Sequence, residues 1–74
     1  MQIYVKTLDG KSVSMDIFRH EKIRDMKIKI QEKLGIDPDE QNLIFQEAIL
    51  HDDKTVDEFG LSDNSVINVI ARLR

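Results

Sequence analysis

Apolar residues recur along this chain with two different periods, and the switches between them predict its elements. Met1, Ile3 and Val5 alternate with Gln2, Tyr4 and Lys6, the period of a strand with one buried face. Leu8-Asp9-Gly10 turns the chain, Asp-Gly being a strong hairpin signal. From Lys11 to Ile17 the period of two resumes, with Val13, Met15 and Ile17 inward and Ser12, Ser14 and Asp16 outward. The period then changes. Between Lys22 and Gly35, the residues Ile23, Met26, Ile30 and Leu34 line up as one narrow helical stripe that needs a sheet to cover it. Gly35 is suited to the left-handed residue that ends a helix, and Pro38 forbids continuation. The start is less sharply marked, since none of His20, Glu21 or Lys22 is a favoured N-cap residue. Lys27 sits on the edge of the stripe, where its ammonium must snorkel or find a carboxylate. Ile28 falls off the stripe, as a single exposed aliphatic commonly does.

Beyond the helix, Asp37-Pro38-Asp39-Glu40 reads as a polar turn, and Asn42 to Gln46 returns to period two. If Leu43 and Phe45 face the core, Ile44 must face water. Ala48-Ile49-Leu50 predicts a very short strand, and His51 to Lys54 a turn. Thr55-Val56-Asp57-Glu58 has the capping-box form and predicts one helical turn to Phe59, ended by Gly60. After the loop Ser62 to Asn64, the last strand runs from Ser65 to Arg72, with Ile67, Val69 and Ala71 inward and Val66, Asn68, Ile70 and Arg72 outward. The order predicts an α+β fold: a small mixed sheet with one amphipathic helix packed on one face.

Seventy-four residues make a single domain, residues 1–74, near the size at which one core barely outweighs chain entropy. With no cysteine there is no disulfide framework and no thiolate site, which fits a reducing compartment, so a cytoplasmic or nuclear location is expected. No apolar run approaches the roughly 18 residues of a membrane span, and Met1 leads straight into strand-like sequence; neither a membrane partner nor a secretory leader is expected. A net charge of −3 argues against a nucleic-acid partner. The chain is expected to be a monomer.

The inventory for catalysis is thin. His20 and His51 are far apart on polar segments, whereas zinc wants three or four ligands at orderly spacing. Glu47, Asp52 and Asp53 cluster about a turn, but a catalytic carboxylate pair needs a pocket that separates the two pKa values. Gly10, Gly35 and Gly60 are dispersed as turn and cap residues, not gathered into a phosphate loop. No cofactor, metal or enzymatic activity is therefore expected. One constellation survives: strand parity sends Ile44 and Ile70 to the side of the sheet opposite the helix, and Leu8 sits at a hairpin tip. A contiguous apolar patch there would mark a partner surface, although parity alone does not make the two strands neighbours.

Met1-Gln2-Ile3, Val5 to Leu8, Gly10-Lys11, the run Lys29-Ile30-Gln31 with Lys33, Gly35-Ile36 and Pro38, then Leu43-Ile44-Phe45 and Arg72-Leu73-Arg74 together resemble the ubiquitin family from end to end without a gap. The resemblance implies a β-grasp fold in which the first and last strands pair in parallel at the centre and the third main strand lies beside the last. Ile44 would then stand next to Ile70 and close to Leu8. In that family this surface binds ubiquitin-binding modules, proteasomal receptors and other ubiquitin-pathway proteins. The implied partner-binding residues here are Leu8, Ile44, Ala48, Asn68, Ile70, Arg72 and Leu73. The implied modification lysines are Lys6, Lys11, Lys27, Lys29 and Lys33, and the resemblance points to Asp52 as the carboxylate for a largely buried Lys27.

The chain also departs from the family. Its basic and imidazole rim is replaced by Asn42, Ala48 and Asn68, with Glu47 where a glycine is expected, while Lys6 and Arg72 remain. Partners that place carboxylates on that rim should bind less well. Ala48 and Asp63 stand where the family carries the two lysines most associated with chain building. The sequence as written ends at Arg74 without Gly-Gly, the end that an activating enzyme adenylates, so conjugation is not expected of it in this form. The first expectation is a ubiquitin-like interaction domain that docks by its sheet face. The alternative is a conjugatable modifier whose Gly-Gly lies beyond Arg74.

Overall fold

The computed structural model describes residues 1–71. Strands β1 (Gln2–Thr7) and β2 (Ser12–Asp16) form the first hairpin, and helix α1 (Ile23–Leu34) follows. Strands β3 (Gln41–Phe45), β4 (Ala48–Ile49) and β5 (Val66–Ala71) complete the sheet, with single 3-10 turns at Pro38–Glu40 and Val56–Phe59. The strand order is β2-β1-β5-β3-β4. β1 and β5 are parallel at the centre, with Lys6 beside Asn68, and β3 runs antiparallel to β5. This is the mixed sheet of a β-grasp fold.

The inner face of the sheet is packed to exclusion of water. Ile3, Val5, Leu43, Ile67 and Val69 from the strands meet Ile23, Met26 and Ile30 of α1, all fully buried or nearly so. Each such side chain contributes about 1.5–3 kcal/mol on burial. Leu50, Val56 and Leu61, from the long connection between β4 and β5, close the side of this core.

That connection also explains how the helix starts without a capping side chain. The Ile23 N–H donates to the Lys54 carbonyl (2.9 Å) and the Arg24 N–H to the Asp52 carbonyl (3.3 Å), so the orphan donors of the first turn are satisfied by backbone from residues 52–54. At the other end Gly35 takes φ 74° and its N–H closes on the Gln31 carbonyl at 2.8 Å. The turn at Val56–Phe59 is held by Glu58, whose carboxylate accepts from the Thr55 N–H (2.7 Å) and hydroxyl (2.9 Å). Those donors, the backbone N–H first, hold its carboxyl below the ordinary value.

Both ends of β3 differ from the sequence reading. β3 begins at Gln41, not Asn42, and the Gln41 side chain is buried: its amide donates to the carbonyls of Lys27 and Ile36, both at 2.9 Å, and so ties the helix to the strand. β3 ends at Phe45, because Gln46 (φ 50°) and Glu47 (φ 69°) leave extended geometry to form the turn into β4. Ala71 keeps the expected inward parity, opposite the buried Gln41, but lies exposed at the end of β5.

Candidate functional site

The candidate site is the outer face of the sheet, and the ladder register sets its layout. Residues directly opposite in paired strands share a face. Ser12 faces Lys6, Lys6 faces Asn68, Asn68 faces Ile44 and Ile44 faces Ile49, which makes one continuous row across all five strands. Ile70 lies opposite Asn42, two pairs along, so Ile44 and Ile70 are diagonal neighbours at roughly 7 Å. Leu8 follows Thr7, the partner of Val69, and is 82% exposed at the hairpin tip. Ile44 and Ile70 are half-buried, while Ile49 is 57% exposed. The register thus brings Ile44, Asn68 and Ile70 to one surface, while Leu8 lies at the hairpin tip and lines a cleft with Leu34 and Ile36.

Two further residues stand on this face beside the expected partner-binding ones. The register sets Ile49, not Ala48, directly across from Ile44; Ala48 is opposite Phe45, at the base of the turn. Ile49 escaped notice because a two-residue strand has no period to read. Val66, 40% exposed, continues the face beyond Asn68 and stands beside the half-buried Tyr4. Arg72 and Leu73, also expected at this surface, lie outside the described residues.

The lysines divide by what holds them. Lys27 reaches the Asp52 carboxylate at 2.6 Å, with the lysine side chain 11% exposed and the aspartate 59%. The expected pair is therefore a buried cation capped by a largely exposed anion, not a pair buried on both sides. Lys29 binds the buried Glu21 carboxylate (2.8 Å) and the Asp16 carbonyl (3.2 Å), and its ammonium lies 5.2 Å from the centre of the Phe18 ring. Lys6, Lys11 and Lys33 are exposed.

Elsewhere the chemistry is sparse. His20 Nδ1 sits 3.2 Å from the Asp57 carboxylate, and His51 is exposed near the start of the long connection. Among the described residues no group of three or more His, Cys, Asp or Glu could hold a metal ion. An open cleft of about 310 Å³ lies between the first hairpin tip and the end of the helix, lined by Leu8, Leu34, Ile36 and Val69 among others. Among the described residues its titratable groups are Asp9 and Lys11. The Thr7 hydroxyl, and more weakly the Lys11 ammonium, hold the Asp9 carboxyl below its ordinary value, so it stores no proton near neutrality. What the molecule offers is a shaped apolar surface.

Comparison with known proteins agrees with this geometry. The ubiquitin family model matches residues 3–74. Over all 74 residues the chain is 40% identical to Ubiquitin-like protein NEDD8 of Dictyostelium discoideum, covering 96% of that protein. It is 38% identical to Ubiquitin-like protein 1 of Schizosaccharomyces pombe, covering 95% of it. A third relative, Large proline-rich protein bag6-A of Xenopus laevis, is 33% identical over 72 residues that make up only 6% of its length. By its strand order, its register and a match that spans nearly its whole length, the chain belongs to the ubiquitin family.

Proposed function

We propose that this chain is a ubiquitin-like protein–protein interaction domain of the cytosol or nucleus, which presents the outer face of its sheet to ubiquitin-binding modules or proteasomal receptors. The observation that carries this reading is the diagonal of Ile44 and Ile70, extended by Ile49, on the side of the sheet away from the core. Aliphatic side chains gathered on one exposed face, ringed by polar residues, are the usual composition of a partner surface. The relative in which a matching segment forms 6% of a long protein supports the domain reading.

A second reading, a conjugatable modifier, is favoured by the two relatives of nearly this length. The reading frame after Arg74 separates the two. Gly-Gly followed by a stop or a short tail favours the modifier, and a polar linker into further sequence favours the domain. For either, the surface is tested by titrating the chain and its Ile44→Ala variant with a helical ubiquitin-binding module by NMR. The variant is expected to lose about 2 kcal/mol or more of binding while its spectrum stays that of the folded chain; equal affinities would remove this face from the account.

A further inference from the structure

The outer row is electrically lopsided. Lys6 stands on it at the β1 side, and at the β4 side the row ends at Ile49, two residues after the exposed Glu47 of the turn that joins β3 to β4. Between them lie only a neutral amide, Asn68, and two aliphatic side chains, Ile44 and Ile49. Ser12, beyond Lys6, is neutral. Asp16 is on the same face, but four residues along β2 from Ser12, about 13 Å away and outside the screening length of about 8 Å at physiological salt. Asp9 and Lys11, at the hairpin tip, carry opposite charges. From β1 to β4 the row crosses three strand spacings, about 14 Å, which is the length of a helix of about ten residues.

We infer that the partner of this face is a three-turn amphipathic helix lying across the strands in one direction, its N-terminal end over Glu47 and its C-terminal end over Lys6. This deepens the reading of the face as a partner surface and rests on it. The direction follows from charge complementarity. A helix carries partial positive charge at its N-terminus and partial negative charge at its C-terminus, so this orientation sets each end against the opposite charge and the reverse sets like against like at both ends. A lysine in the partner's first turn and a glutamate in its last strengthen the preference. The apolar stripe of the helix covers Ile44 and Ile49, and a polar uncharged residue meets Asn68.

The test uses two hydrocarbon-stapled helical peptides of about ten residues with the same apolar stripe. One carries Lys in the first turn and Glu in the last; the other has the two exchanged. Each bears an N-terminal nitroxide, and each is titrated by NMR into the whole chain, into its Ile44→Ala variant and into the Lys6→Glu, Glu47→Lys double variant. Both exchanged residues are exposed, and the spectrum of the double variant reports its fold directly. The first peptide should bind about tenfold tighter than the second, its nitroxide should broaden Glu47 and Ile49 more strongly than Lys6 and Ser12, and the double variant should invert the preference. Equal binding of both peptides, lost on Ile44→Ala, would overturn the orientation and leave the surface standing. Stronger broadening at Lys6 than at Glu47 by the first peptide would likewise overturn it. Binding by neither peptide would overturn the inference and the surface together.

Discussion

The two faces of this sheet are built from similar aliphatic side chains and do opposite things. On the inner face Ile3, Val5, Leu43 and Ile67 are fully buried beneath the helix. On the outer face Ile44 and Ile70 remain half-exposed, and Ile49 more than half. The difference lies in what covers each face, since the pleat alone determines which residue goes where. Aliphatic area left uncovered adds little to the fold and stays available for association, so the same residue type serves stability on one side and recognition on the other.

The sharpest way to break this comparison is to truncate one aliphatic from each side. Ile30→Ala removes a fully buried side chain from the centre of the helix–sheet contact and should cost about 3–4 kcal/mol in a urea melt, a large part of the stability of so small a domain. Ile44→Ala, which empties no cavity, should cost under about 1 kcal/mol in the same melt and show its effect only when a partner is present. Similar losses at the two positions would mean that the outer face is structural.

How much of this was legible in the sequence follows the same division. Period two and period 3.6 gave the strands and the helix, because a covered face imposes a regular pattern on the residues beneath it. Parity also sent Ile44 and Ile70 outward. It could not join them, because strand order is a long-range property: Lys6 beside Asn68, and Asn68 beside Ile44, depend on contacts between residues far apart in the chain. The resemblance to the ubiquitin family supplied that order. Ile49 and Gln41 were missed for local reasons. A two-residue strand has no period, and a buried glutamine whose amide bonds carbonyls of the helix and its exit looks like any surface glutamine in sequence.

The rim between the faces makes a finer test. Lys27 is buried at the helix edge, but its partner Asp52 is mostly in water, which weakens the pair relative to one enclosed on both sides. Asp52→Asn should therefore cost about 1–2 kcal/mol, less than the roughly 3 kcal/mol expected for a fully buried pair. Lys27→Met should cost no more than that, since it replaces an ammonium by an apolar end of similar length. Melting both single variants and the double variant gives the coupling. A value near zero would mean that the ammonium is solvated through the gap beside Asp52 and that residues 52–54 are held to the helix start by the backbone bonds to Ile23 and Arg24 and the Lys22 ammonium on the Asp53 carbonyl.

The smallest effect sharpens the comparison at the edge of the recognition face. The first hairpin places a glycine at its positive-φ position, Gly10 at 90°, whereas the turn between β3 and β4 holds two side-chain-bearing residues there, Gln46 at 50° and Glu47 at 69°. A two-residue loop with both angles positive favours glycine at its second position, and a non-glycine residue in this region costs about 1 kcal/mol. Glu47→Gly relieves that strain but adds freedom to the unfolded chain, so the net gain should be about 0.5 kcal/mol. Glu47→Ala keeps the strain while removing the charge and should give no gain, which separates backbone from electrostatics. If Glu47→Gly raises the urea midpoint and also abolishes the directional preference of the charged helical peptides, Glu47 is maintained at the expense of the turn for what it does at the surface. If it raises the midpoint and leaves that preference intact, the strain at this turn serves nothing on the outer face, and Lys6 alone orients whatever binds there.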